Sequence, residues 1–165
     1  MPSRHGWTQQ RIALAAILAI ALPFAACKRG EKLPDGDIAA SLTVESIGAH
    51  FDPASVKGKP SLVLFVTPTC PHCRVEIPRA AAAAHAQAAN VVAVFVAGTA
   101  QNATGVLAAA DYVGPALIDD GTLRKRYHIT SVPYTLVLGA DGHARDALIG
   151  EQDESTLREA LADAR

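Results

Sequence analysis

The sequence predicts an α/β domain: a central mixed sheet flanked by helices, closed by a C-terminal antiparallel hairpin and a last helix. Three observations carry that expectation. Nearly continuous apolar runs at residues 61–67 and 91–97 have the composition of strands buried on both faces of a sheet. Between them, residues 71–89 are alanine-rich and suited only to a helix, and a strand–helix–strand order implies parallel pairing. Further on, residues 134–138 and an apolar run near 147–150 flank the turn Ala140-Asp141-Gly142, the pattern of a hairpin.

The chain has 165 residues, 50% of them apolar, which is room and material for one domain around one core. Its order begins with residues 1–26, where Arg4 and Arg11 precede an apolar run from Ile12 to Ala26 with no acidic residue, the pattern of a secretion signal. The run ends Phe24-Ala25-Ala26-Cys27. This resembles the lipobox of bacterial lipoproteins, and the resemblance implies cleavage before Cys27 and lipidation of that cysteine. The alternative is an uncleaved anchor, for which about 15 apolar residues are short of the usual ~20. Without Arg4 and Arg11 the chain has 13 basic and 16 acidic residues, a net charge of −3 that gives no nucleic-acid surface.

Residues 27–41, polar and carrying Gly30, Pro34 and Gly36, read as a tether without packed structure, and residues 42–165 as the folded domain. Within it, residues 42–51 alternate briefly and suit an edge strand, and Asp52-Pro53 and Gly58-Lys59-Pro60 are turn punctuation. The helix of residues 71–89 starts on Pro71, carries Pro78 inside it, where a kink is expected, and has Asn90 as a cap. A weak helix at 100–110, a short strand at 116–119 and a helical turn at 122–127 follow. Residues 153–164 close the chain as an amphipathic helix, with Leu157 and Leu161 on one face and Asp153 to cap it.

The chemistry-bearing motif is Cys70-Pro71-His72-Cys73, set where the first buried strand turns into the alanine-rich helix. A thiol in the first turn of a helix meets unpaired backbone N–H groups and the positive end of the helix dipole, which favour the thiolate. Cys70 is therefore the expected nucleophile. Cys73, three residues on along the same face, can attack a mixed disulfide formed at Cys70 and release its partner. His72 can donate to the Cys70 thiolate or pair with it as imidazolium, which stabilises the reduced form and makes the couple more oxidising. Half of a zinc knuckle is an alternative, but such sites need a second cysteine pair and the only other cysteine is Cys27. A static disulfide is another; its loop is too short to constrain the unfolded chain much. No metal and no cofactor are expected, since the two sulfurs themselves carry the electrons.

With this element order and motif, residues 42–165 resemble the thioredoxin superfamily, in particular the membrane-anchored TlpA-like proteins of bacterial envelopes. The matching features are the C-x-x-C after the central strand, Pro78 eight residues beyond Cys70, and Val132-Pro133 before the hairpin. The resemblance implies a thioredoxin fold, a cis bond before Pro133, and Pro133 packed beside the cysteines with Val132 presented to substrate backbone. Glu76 matches a carboxylate that some TlpA-like members use in proton handling; a solvated helix glutamate is the alternative reading. Thr69 stands where an aromatic residue usually precedes the first cysteine and alters the substrate platform. Leu64 stands where most thioredoxins carry an acidic residue. Cys-Pro-His-Cys is also the motif of DsbA-type oxidases, whose large helical insertion is absent, and residues 67–71 with 132–134 resemble accessory thioredoxins of methylamine-dehydrogenase maturation.

These features point to a lipid-anchored thiol–disulfide oxidoreductase on the periplasmic side of a bacterial envelope. Its partners would be cysteine-containing exported proteins and a membrane redox partner. His72 favours an oxidising direction, against the reductase role that a TlpA-like layout implies. Two alternatives remain. A thiol peroxidase is suggested by Thr67, three residues before Cys70, although Val63 replaces the proline such enzymes carry. A copper carrier would use Cys70, Cys73 and a histidine such as His72 or His128.

Overall fold

The computed structural model describes residues 33–165. The expected leader, Cys27 and the first part of the tether lie outside the described residues. The described chain forms one six-stranded sheet from β1 (Glu45–Ser46), β2 (Ser61–Val66), β3 (Asn90–Phe95), β4 (Ala116–Ile118), β5 (Tyr134–Leu138) and β6 (Ala144–Ile149), in the order β1-β4-β3-β2-β5-β6. The pairs β2–β3 and β3–β4 are parallel, while β2–β5, β5–β6 and β1–β4 are antiparallel. The expected mixed sheet, with its parallel centre and antiparallel hairpin edge, is therefore present.

Every residue of β2 is buried because both sheet faces are covered. Alternation along the strand divides its side chains between two cores. Leu62, Leu64 and Val66 face α2 (Pro71–Ala86) and α5 (Glu154–Asp163), packing with Cys73, Ile77, Ala80, Leu157 and Leu161. Val63 and Phe65 face the other side, where Leu42, Leu123, Tyr127 and Leu136 complete a second core. The α2 alanines serve this packing: Ala80, Ala83 and Ala84 are buried, and their small side chains leave the helix room against the sheet. Helix α2 continues through Pro78, which has no N–H for the carbonyl of Arg74.

Several boundaries differ from those expected. The segment expected as a tether, residues 27–41, ends in packed structure: α1 (Ile38–Ser41) has Ile38 and Ala39 fully buried. Asp37 caps this short helix by accepting the Ala40 N–H at 3.0 Å, and the Ile38 N–H donates to Gly142 O at 3.0 Å. Four residues are too few to display a helical period, so the element is invisible to pattern reading. Asp52 and Pro53 open a 3-10 turn, Pro53–Val56. Asn90 does not cap α2; Gln87 does, and Asn90 starts β3, donating from Nδ2 to Ser61 Oγ at 3.2 Å. Strand β6 begins at Ala144, earlier than the apolar run suggested, because Arg145 and Asp146 occupy an edge that tolerates charge. Helix α3 (Ala100–Ala109) and α4 (Thr122–Arg126) form close to where they were expected. Among the described residues no helix is long and apolar enough to cross a membrane.

Candidate active site

Strand β2 delivers the chain to the loop Thr67-Pro68-Thr69, and Cys70 follows as the N-cap of α2. Its backbone is still extended, so its side chain folds back over the helix end, where the sulfur accepts the Cys73 N–H at 3.2 Å. The sulfur thus does what a serine or aspartate oxygen does at other helix starts. Pro71, at the first helical position, has no N–H to leave unpaired. Cys70 Sγ also lies 3.9 Å from the Val132 carbonyl oxygen, and the Val132–Pro133 peptide bond is cis. Pro133 is buried and Val132 half-buried, while Thr69 is exposed beside the partly exposed Cys70.

Cys73 sits behind this surface, completely buried against the α2–α5 core. Burial pushes its thiol up, the hydrogen bond with Cys70 pushes the same way, and the nearby charges of Cys70 and Glu76 add to both. Glu76, one turn further along α2, is also completely buried. Its Oε1 accepts the Thr135 hydroxyl at 2.6 Å and its Oε2 accepts the Gln152 backbone N–H at 3.0 Å. Burial raises its carboxyl above the ordinary range, and those two hydrogen bonds oppose the rise without cancelling it.

Among the described residues no hydrogen bond joins the His72 ring to the Cys70 sulfur. Its Nδ1 lies 2.6 Å from Oε2 of Glu151, in the loop between β6 and α5. Oε1 of the same carboxylate accepts from Arg79 NH1 at 2.6 Å. The loop before Cys70 is fixed from two sides. Arg74 donates from Nε and NH2 to the Pro68 carbonyl at 3.2 and 2.9 Å, and the Pro68 ring lies against Gly98. Gly98 has a φ of +96°, and a β-carbon there would stand 2.8 Å from Pro68 Cγ, so both backbone and space require glycine. Pro68, Thr69 and Arg74 also form one wall of a groove of about 540 Å³ whose other wall is α3, with Asn102, Gly105 and Val106.

A family model described as a thioredoxin-like domain matches residues 48–165. The chain belongs to the thioredoxin-like family. Among curated relatives, the soluble secreted antigen MPT53 of Mycobacterium tuberculosis is 36% identical over 102 residues, 58% of this chain and 56% of its own length. The methylamine utilization protein MauD of Methylobacillus flagellatus is 26% identical over 113 residues, 68% of this chain and 53% of its own length. This chain therefore spans about half the length of the curated relatives it matches. A solved structure of a secreted Mycobacterium tuberculosis disulfide oxidoreductase, homologous to E. coli DsbE, superposes with a TM-score of 0.68 at 26% identity, covering 78% of this chain and 99% of that one.

In this thioredoxin-like domain, Cys70, Cys73, Val132 and Pro133 meet at one end of the sheet, with Thr69 on the rim and Glu76 below. The helix glutamate is not solvated. Thr67 meets Cys70 through its backbone, accepting the Cys70 N–H at 3.3 Å; among the described residues no hydrogen bond joins its hydroxyl to the sulfur. Also among the described residues, no three histidine, cysteine or acidic side chains are grouped to hold a metal ion, so Cys70, Cys73 and a histidine form no preassembled copper site. Sequence reading missed Glu151, Gln152, Arg79 and Arg74. The first two lie more than seventy positions from their partners and, like most polar residues, read as solvated surface; Arg74 carried a weak signal as the residue one turn after Cys70.

Proposed function

We propose that this domain is a protein thiol–disulfide oxidoreductase working through Cys70 and Cys73. The observation that supports it most is the arrangement of a partly exposed helix-capping sulfur in front of a buried one, beside a cis-proline. In the oxidising direction a substrate thiolate attacks Cys70 Sγ of the Cys70–Cys73 disulfide. A substrate–Cys70 bond forms, the bond to Cys73 breaks, and Cys73 leaves as a thiolate. A second substrate thiolate then attacks the substrate sulfur, closing the substrate disulfide and releasing Cys70 as thiolate. Two electrons have passed to the domain. Reduction is the same path reversed, with Cys73 as the resolving thiol.

The remaining residues take roles around that exchange. The Cys73 N–H and the end of α2 support negative charge on Cys70. Glu76, buried one turn from Cys73, is the group suited to take and return the Cys73 proton, because its own proton is held more firmly than an ordinary carboxyl's. Val132 and Pro133 dock substrate backbone beside the sulfur, and Thr69 with the Arg74-walled groove receives the chain on the other side. The likeness to a disulfide oxidoreductase and to MPT53 favours exported proteins as substrates. Lipidation at Cys27, a periplasmic location and a membrane redox partner complete the reading.

Cys73→Ala tests it in cells: the variant should accumulate mixed disulfides through Cys70 with exported cysteine proteins, and the double variant Cys70→Ala/Cys73→Ala should not. No captured partner, together with failure of the purified wild type to exchange with glutathione, overturns the proposal. Incorporation of a labelled fatty acid that is lost in Cys27→Ala tests the anchor.

A further inference from the structure

His72, Glu76 and Arg79 are spaced i, i+4 and i+7, so they share one face of α2. All three grip the same short segment between β6 and α5. His72 and Arg79 share the Glu151 carboxylate, Arg79 also donates to Gln152 O at 3.2 Å, and Glu76 accepts the Gln152 N–H. The Gln152 side chain stiffens the segment further by donating to the carbonyls of Ile149 and Gly150 at 3.2 and 2.9 Å. This is a clasp across the helix that carries the redox motif. It is built from residues more than seventy positions apart.

Helical side chains lean toward the N-terminus, so an imidazole at the second position of α2 leans toward the Cys70 end of the helix. Left alone, it has the Cys70 thiolate as its natural anionic partner. In this structure a full carboxylate, itself fixed by Arg79, takes the Nδ1 side of the ring instead. We infer that Glu151 is a positioning residue for the redox couple: by holding His72 it withholds the imidazole from Cys70 and makes the disulfide less oxidising than an unclasped Cys-Pro-His-Cys motif. The inference rests on the exchange reading above and deepens it, because it names what sets the potential. No atoms move between Glu151 and the sulfurs. The effect acts on the balance of Cys70–Cys73 disulfide plus two electrons against the reduced pair.

The clasp is solvent-facing, with the His72 side chain 67% exposed and that of Glu151 29% exposed, so its effect is screened. A roughly threefold change in the equilibrium with glutathione is expected, which for a two-electron couple is about 15 mV. The test is a double-mutant cycle on the purified domain at pH 7 and low salt, measuring the equilibrium in glutathione buffers for the wild type, Glu151→Gln, His72→Ala and the double variant. Glutamine keeps the shape, and a urea midpoint checks the fold. Glu151→Gln should shift the equilibrium toward the reduced protein, with the shift shrinking at high salt. In the His72→Ala background the same substitution should change little. The inference is overturned by no shift, by a shift toward the oxidised protein, or by an equal shift with and without His72, which would mark a bare field effect of the carboxylate. A wild type that does not equilibrate with glutathione refutes the exchange reading itself, a separate outcome.

Discussion

Replacing Glu76 tests the buried end of the site most directly. In Glu76→Ala, the Thr135 hydroxyl and the Gln152 N–H lose the acceptors that satisfy them at 2.6 and 3.0 Å. Each unpartnered buried group costs about 1–3 kcal/mol, and the one lost methylene about 0.8 kcal/mol. Release from burying the carboxyl offsets part of this, leaving a net loss on the order of 3 kcal/mol, or about 1–2 M in urea midpoint. Glu76→Gln keeps one acceptor oxygen and lets the Thr135 hydroxyl turn to accept, so at mildly acidic pH it should cost only about 1 kcal/mol. The pH dependence has a definite sign. The folded carboxyl is raised above the unfolded one, so the neutral form's stability is complete below the ordinary carboxylate range and is lost as pH rises through the folded value. Urea melts of reduced wild type and Glu76→Gln across pH 4.5 to 8 should therefore show the gap between them closing, or reversing, as pH rises. A gap that widens with pH, or an alanine variant as stable as the wild type, would refute the reasoning.

Other outcomes are equally concrete. Iodoacetamide at neutral pH should modify Cys70 well before Cys73, because Cys73 is buried and its thiol raised; mass mapping of the alkylated protein checks the order, and equal rates would contradict it. Gly98→Ala forces a β-carbon against Pro68 at a positive φ and should lose about 1–3 kcal/mol by denaturation, together with slower exchange at Cys70. Arg74→Met removes both donors to the Pro68 carbonyl and should slow mixed-disulfide formation while moving the urea midpoint little, since the residue is exposed. Ile38→Ala should cost about 2–4 kcal/mol, a loss that a flexible tether at this position would not give.

The sequence made the centre of this fold legible because its elements obey single rules. Residues 62–66 and 91–95 are apolar throughout since both sheet faces are covered, and Asp153 caps the last helix by accepting the Thr156 N–H, as its position before Glu154 suggested. Cys70 and Cys73 were legible from their motif at a strand–helix junction, and the place of Pro133 from the family resemblance. Helix α1 was not, because burial of Ile38 and Ala39 depends on the hairpin turn at Gly142, a hundred positions away. The burial of Glu76 was open for a similar reason, since its acceptor role needs Thr135 of β5 and the backbone of residue 152. The His72–Glu151 contact was hidden for the same reason: the motif offers His72 to the Cys70 sulfur, while the carboxylate beside its ring lies seventy-nine positions away.

The anchoring of Asp37 and Ile38 has a geometric corollary. Asp37 bridges to His143 in the hairpin turn, and that turn lies beyond the Ser61–Leu138 pairing, at the start of β2. Cys70 follows the other end of the same strand, about 20 Å away for six extended residues. The polypeptide thus enters the globule at the pole opposite its reactive atom. A protein docking at Cys70 therefore meets the end of the central strand away from residue 37.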